Sequence, residues 1–360
     1  MKALDYSQQH DEFLRDKTQE LIRTLPKFLE MYFIAKSDLL PSTQLNYATD
    51  LAVFFEWLRD REEALSDIQV RDIPFDALKR VTSDDINVYI KSYLTKYERA
   101  GVIHRNDYNG KARKLSSLRS MFKYYLVNKE IDSDPCAVIE LRARDDHEIV
   151  YLQPNEVAIL LDAIDEGTEC ENSNKRKAAW HKRNRSRDLA IITMLLGTGM
   201  RVSECVGLNI EDIDFDDGAI HIMRKGHRRD TVYMGEEIEE TLHDYMDHSR
   251  TDNYSPADEE KALFLSSRGT RITVRSVEIL LKKYVQAALP YRSGEKISPH
   301  KMRSTFGTTL YKETGDIKLV ADALGHKNIA TTQKHYAASD TEIKRSAFRN
   351  VRLRDGGEKS

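Results

Sequence analysis

The charged run Arg142-Ala-Arg-Asp-Asp-His-Glu148 divides the chain into two stretches whose hydrophobic residues repeat differently, and a chain so divided is expected to fold as two units joined by an exposed linker. Upstream, from Leu21 to Leu141, apolar residues recur at helical spacing and strand signals are sparse. Pro41-Ser42-Thr43 opens a helix with Leu45, Ala48, Leu51, Ala52, Phe55 and Leu58 on one stripe, and Thr82-Ser83-Asp84-Asp85 caps another. A third helix runs through Ala112, Leu115, Leu118, Met121, Phe122 and Tyr125, and Asp134-Pro135 stops the pattern. From Val150 helices mix with short strands. Leu189 to Leu196 predicts a buried helix ended by Gly197 and Gly199. Ile213 to Met234 predicts a small antiparallel meander turning at Asp217-Gly218 and Lys225-Gly226. The stretch Asp165 to Arg185 reads as polar and loop-like. The expected fold class is mainly α with a small antiparallel β-sheet. The expected division is an extension over 1–20, a helical module over 21–141, a linker over 142–149, a mixed α+β module over 150–345 and a tail over 346–360.

With 360 residues, 40% of them hydrophobic and 32% charged, the chain can bury two cores and keep a heavily charged surface. No apolar run approaches the ~20 residues that span a bilayer, and the first residues lack the apolar stretch of a signal peptide, so a cytoplasmic location is expected. Cys136, Cys170 and Cys205 are odd in number and form no CxxC pair, which argues against a disulfide framework or a zinc site. The net charge of −3 speaks against a uniformly basic nucleic-acid binder. The distribution says more. Lys111, Arg113, Lys114, Arg119 and Lys123 fall on the polar side of the third helix, Lys175 to Arg187 forms a second basic run, and Lys344 to Arg354 a third, so basic patches on a neutral body are expected.

Four short signals in the second half carry chemistry. In Gly197-Thr-Gly-Met-Arg201-Val-Ser-Glu204 a glycine-broken turn delivers an arginine to the start of a helix, where anions bind, with an acid one turn on to hold it. Lys225 falls in the Arg224-Lys225-Gly226-His227 turn, from which a long cation could donate a proton to a leaving alkoxide. Ser298-Pro299-His300-Lys-Met-Arg303 predicts a serine cap and a proline at the first helical position, placing His300 and Arg303 on one face. Gly315-Asp316 starts a helix that Gly325 ends, so Leu324-Gly325-His326 forms a tight corner, with Tyr336 on the next short helix. A phenol of ordinary pKa near ~10 is a poor nucleophile, but neighbouring cations and a base favour its phenolate. Each signal alone has a plain reading as a surface ion pair, a soluble hairpin tip, a helix cap or packing; order and spacing give the set its force.

The set Arg201 with Glu204, Lys225, His300 with Arg303, Leu324-Gly325-His326 and Tyr336 resembles the tyrosine recombinase/integrase family in its compact two-domain form. The resemblance extends into the helical module, where Ser42 to Trp57 and Lys114 to Pro135 are similar to the family's core-binding domain, and covers roughly Leu21 to Arg345. It implies a helical core-binding domain followed by a mixed α+β catalytic domain. It also implies a site-specific recombinase that cuts and rejoins double-stranded DNA through a 3′-phosphotyrosyl intermediate, in element integration and excision or in dimer resolution. Tyr336 is then the nucleophile, Arg201 and Arg303 stabilise the phosphate, Lys225 protonates the leaving oxygen, His300 is the general base, His326 binds a phosphate oxygen and Glu204 orients Arg201. No cofactor or metal is called for, and the chain has no GxxxxGK[ST] run. The resemblance further implies a tetramer on DNA docked through the C-terminal tail, with an accessory DNA-bending or directionality protein as a further partner. The short segment before the helical module implies DNA sites without arm-type contacts. Three other readings stay open on the residues alone: a type IB topoisomerase-like enzyme, a DNA-binding regulator that has lost catalysis, and a metal-dependent nuclease.

Overall fold

The computed structural model describes residues 6–141, 150–167, 175–224, 228–250, 261–292, 294–326, 329 and 332–333. The chain separates into two compact units, Met1–His147 and Glu148–Ser360. The 142–149 segment expected as a linker and the basic tail lie outside the described residues. Among the described residues no helix is long and apolar enough to cross a membrane.

In the first unit the long helices are α1 (Tyr6–Ile22), α3 (Pro41–Arg61) and α6 (Tyr108–Val127), with the short α2 (Leu29–Ile34), α4 (Phe75–Lys79) and α5 (Ser83–Asn87) between them. Pro41 at the first turn, where its missing N–H costs nothing, starts α3. Thr82 caps α5 by exchange with Asp85, whose carboxylate accepts from the Thr82 N–H at 2.9 Å. Asp107 caps α6, accepting from the Gly110 N–H at 2.8 Å. α3 packs against both α1 and α6. Leu51, Phe54, Phe55 and Leu58 of α3 and Leu118, Met121, Phe122 and Tyr125 of α6 are buried in one core, each large side chain contributing about 1.5–3 kcal/mol of transfer free energy. Because α1 runs unbroken from Tyr6 to Ile22 and packs on α3, residues 6–20 are continuous with the helical unit, not an extension separate from it. A hairpin, β1 (Tyr97–Arg99) with β2 (Val102–His104), was not legible in the helical pattern; it turns through Ala100 and Gly101, both at positive φ.

The second unit is built around α8 (Lys175–Thr198), whose Ala190, Ile191, Ile192, Met194 and Leu195 are inaccessible to solvent. α7 (Pro154–Glu166), α10 (Glu236–Asp244) and α12 (Pro299–Thr314) pack on it. Around them lie α9 (Val202–Gly207), α11 (Val274–Ala288) and α13 (Ile317–Ala323). The expected meander is an antiparallel sheet in the order β3 (Ile213–Asp214), β4 (Ala219–Arg224), β5 (Arg228–Tyr233), with Ala219 opposite Tyr233 and Arg224 opposite Arg228. A mainly α fold with small antiparallel sheets is therefore what the chain adopts.

The reading of 165–185 as a loop is corrected: from Lys175 onward it is the first half of α8. Lysine, arginine and alanine are strong helix formers, and the buried second half supplies the nucleus from which the helix extends. Nor is this run a uniformly solvated basic face. Arg187 is buried, paired with Asp188 at 2.6 Å and donating to the Leu265 carbonyl at 3.0 Å, and His181 lies buried against the Ile164 carbonyl at 2.8 Å. Lys182 and Arg183 face outward.

Candidate active site

Gly199 stands at the break between α8 and α9 with φ +61, a conformation that favours glycine, and a Cβ there would come within 2.3 Å of the Phe306 ring. The break delivers Arg201 to the N-cap position of α9. Glu204, one turn on, accepts from the Arg201 backbone N–H at 2.7 Å and from its guanidinium at 2.8 Å. The Glu204 side chain is 4% exposed and that of Arg201 38%, so the acid is a buried anchor and the arginine a partly solvated arm held in one direction.

His300 and Arg303 share α12, yet they occupy different environments: His300 is exposed and Arg303 buried. Ser298 sits at the N-cap position and Pro299 at the first turn as expected, but the serine side chain makes no capping hydrogen bond. Arg303 donates through Nη1 to the Gly199 carbonyl at 2.7 Å and through Nη2 to the Leu324 carbonyl. One buried guanidinium thus joins the turn before Arg201 to the corner before His326.

That corner is built by a left-handed glycine. Asp316 caps α13, accepting from the N–H groups of Lys318 and Leu319 at 2.8 and 3.1 Å, and Gly325 at φ +61 ends it. The Gly325 N–H returns to the Asp322 carbonyl and the His326 N–H to the Ala321 carbonyl, each at 2.9 Å, which locks the direction in which His326 leaves the helix. The His326 Nδ1 lies 2.8 Å from the hydroxyl of the buried Thr332. Lys225 and Tyr336 lie outside the described residues, so the hairpin lysine and the nucleophile expected from the sequence are not placed.

A residue that the sequence motifs do not single out sits at the centre. Arg224, the last residue of β4, is 7% exposed and donates to the Asp230 carboxylate at 3.0 Å, to Glu204 at 3.4 Å, to the Ala323 carbonyl at 2.9 Å and to the Leu324 carbonyl at 3.4 Å. The last carbonyls of α13, which a helix end leaves without partners, are therefore capped by arginine. The signal was in the strand alternation: Ile220, Ile222 and Arg224 occupy the same, buried phase, and Asp230, directly opposite Ile222, is the diagonal neighbour of Arg224 across the ladder.

In the first unit the basic face of α6 needs one correction. Lys114 does not belong to it: it follows the stripe of Leu118, Met121 and Tyr125, is 5% exposed, and lies 3.5 Å from the buried Asp50 of α3. Arg113 and Ser117 also donate to Asp50, at 2.6 and 2.8 Å. Burial raises the Asp50 carboxyl above the usual carboxylate range, although Ser117, Arg113 and Lys114 pull it back, and burial lowers the Lys114 ammonium. Arg113, Arg119 and Lys123 are exposed and Lys111 is half-buried. Lys111 donates to the Thr95 hydroxyl at 2.7 Å and Arg119 to the Ile139 carbonyl.

Residues 151–342 match the model of the phage integrase family, more than half of the chain. The tyrosine recombinase XerC of Caldanaerobacter subterraneus subsp. tengcongensis is 32% identical over 91% of this chain and 86% of its own length. The chain belongs to the phage integrase family of tyrosine recombinases. The tyrosine recombinase XerS of Streptococcus agalactiae is 31% identical to this recombinase over 89% of the chain and 94% of its own length. In fold, the recombinase is similar to the XerH site-specific recombinase solved on its palindromic difH substrate as a post-cleavage complex, with a TM-score of 0.61 and 20% identity over 94% of this chain and 93% of that one. Site-specific recombination, the cutting and rejoining of DNA strands, is the activity of this family, and neither a topoisomerase-like nor an inactive reading is favoured.

Proposed function

We propose that the recombinase cuts DNA by attack of Tyr336 on the scissile phosphate, with Arg201, Arg303, Lys225, His300 and His326 as its catalytic set. The observation that carries this reading is the Leu324 carbonyl, which takes a hydrogen bond from Arg303 two residues before His326, while the other arm of Arg303 holds the turn before Arg201. Arg303 thus ties the turn that presents Arg201 to the corner that presents His326, which supports the space beside them as a suitable place for a phosphate. In the step, the Tyr336 oxygen bonds phosphorus and the bond from phosphorus to the 5′ oxygen breaks. The phenolic proton passes to His300, and the leaving 5′ oxygen takes a proton from Lys225. The 3′-phosphotyrosyl link keeps the energy of the phosphodiester, so resealing needs no high-energy co-reactant. Arg201, partly solvated and braced by Glu204, meets the non-bridging oxygens directly; Arg303 adds its charge from behind, where low dielectric strengthens it. His326, held by Thr332, donates to a phosphate oxygen.

Double-stranded DNA is the partner, supported by family membership and by the DNA-bound state of the XerH neighbour. Lys111, Arg113, Arg119 and Lys123 of α6 supply phosphate contacts, a tetramer on two duplexes docks through the tail beyond residue 345, and an accessory DNA-bending or directionality protein sets the outcome, whether integration and excision or dimer resolution. The test is Tyr336→Phe on a nicked substrate that traps the covalent adduct. DNA binding persists and protein-linked DNA disappears; an adduct formed by the variant overturns the assignment.

A further inference from the structure

We propose that Arg224 is a positioning residue that sets the direction of both catalytic guanidiniums, Arg201 through Glu204 and Arg303 through the Leu324 carbonyl. The proposal rests on the reading above of Arg201 as a phosphate ligand and of Arg303 as a buried charge behind it. A guanidinium is planar, with its N–H donors in a fixed fork, so its partners are held at fixed angles to one another. In Arg224 one edge, Nε, is tied to Asp230 at 3.0 Å on the neighbouring strand. Nη1 reaches Glu204 Oε2 and the Leu324 carbonyl, both at 3.4 Å, and Nη2 reaches the Ala323 carbonyl at 2.9 Å.

Two of these partners, Glu204 and the Leu324 carbonyl, also serve a catalytic arm. Glu204 uses its other oxygen, Oε1, on the Arg201 guanidinium, and its Oε2 also takes the Arg201 backbone N–H. The Leu324 carbonyl also takes the Arg303 guanidinium. Arg224 therefore links the anchors of the two arms. The backbone leaves room for it: a Cβ on Gly325 would stand 3.0 Å from the Arg224 Cζ and Nε, so a glycine there lets the corner close down on the guanidinium. Burying one more cation beside two others costs desolvation and repulsion that an apolar side chain of the same size avoids. A residue needed only to fill space would not be charged. Without it, the Glu204 carboxylate can rotate away from Arg201, and Leu324 can move with Arg303.

The test separates positioning from folding by changing the charge on the phosphate. Single-turnover adduct formation is measured on two nicked DNA substrates, one ordinary and one carrying a methyl group in place of a non-bridging oxygen at the scissile phosphate. The second develops one negative charge fewer in the transition state, so well-aimed guanidiniums are worth less to it. Arg224→Lys and Arg224→Met should slow the ordinary substrate by about 10- to 100-fold, the value of one charged hydrogen bond expressed as a rate. On the methylated substrate the deficit should shrink to about threefold, with DNA affinity unchanged. An equal deficit on both substrates overturns the proposal and leaves Arg224 a structural residue. Arg201→Ala is run alongside. If its deficit does not shrink either, the phosphate role of Arg201 fails; if its deficit shrinks and that of Arg224→Met does not, only the positioning role fails. Should neither Arg224 variant fold, Asp230→Asn, which releases the outer edge of the guanidinium, replaces them in the same comparison with the same outcomes.

Discussion

The Arg303 guanidinium donates to the carbonyl of Gly199 at 2.7 Å, tying a helix in the last third of the chain to the turn that presents Arg201. The bond requires the Gly199 peptide to face α12, and at φ +61 glycine supplies that orientation without the cost a side chain would carry.

Gly199→Ala tests that arrangement. The left-handed backbone costs about 1–3 kcal/mol for a residue with a Cβ, and the collision with the Phe306 ring, 2.3 Å away, adds about 1–3 kcal/mol more. The melting temperature should fall by roughly 5–15 °C for a unit of this size. In a Phe306→Ala background the same substitution should cost less, because only the backbone part remains. Equal costs in the two backgrounds would show that the ring does not constrain the turn.

Glu204→Gln keeps the shape of the anchor and removes its charge. Its carboxylate serves the Arg201 N–H, the Arg201 guanidinium and Arg224, so cleavage should slow by about 10- to 100-fold with little change in DNA affinity. Rapid-quench measurement of adduct formation decides it, and a wild-type rate would remove Glu204 from the site.

The cations of α6 divide into two kinds, and salt dependence tells them apart. Replacing Lys111, Arg119 and Lys123 together by glutamine, and leaving Arg113 on Asp50, should flatten the plot of log affinity against log salt by about 0.9 for each phosphate that is no longer neutralised. Lys114→Met should leave that slope intact and instead destabilise the fold by about 3 kcal/mol, since it takes a cation from the buried Asp50. Reversed behaviour would put Lys114 on the DNA and return Lys111, Arg119 and Lys123 to solvent.

Asp50 also predicts a pH dependence. Its carboxyl is raised in the folded state, so between the unfolded and folded pKa values the folded chain binds more protons than the unfolded one. Stability from Asp50 is then fully present below the ordinary carboxylate range and diminishes as pH rises through the raised value. Thermal melts from pH 4 to pH 7 should show the wild type losing ground to Asp50→Asn as pH increases; a gap that moves the other way would mean that Arg113 and Lys114 outweigh burial.

Much of the fold follows from short-range chemistry that a reader of the chain can see. Pro41, the Thr82 to Asp85 exchange, Asp107, Asp316, Gly199 and Gly325 begin and end helices by local sterics and local hydrogen bonds, and the β3–β5 meander follows from its alternation and its glycine turns. The Ala100-Gly101 turn is not legible in the sequence because a three-residue strand is too short to establish a period.

By itself the sequence determined the helical periods, the caps and the order of Arg201, Glu204, Lys225, His300, Arg303, His326 and Tyr336, because each depends on neighbours a few residues away. Tertiary structure alone decided which charges are buried and whom they serve: Lys114 turned inward to Asp50, Arg303 to the Gly199 and Leu324 carbonyls, and Arg224 to Glu204 and the end of α13. Those pairings join residues from 20 to more than 100 positions apart, and a charge leaves water only where distant chain segments together supply its hydrogen bonds.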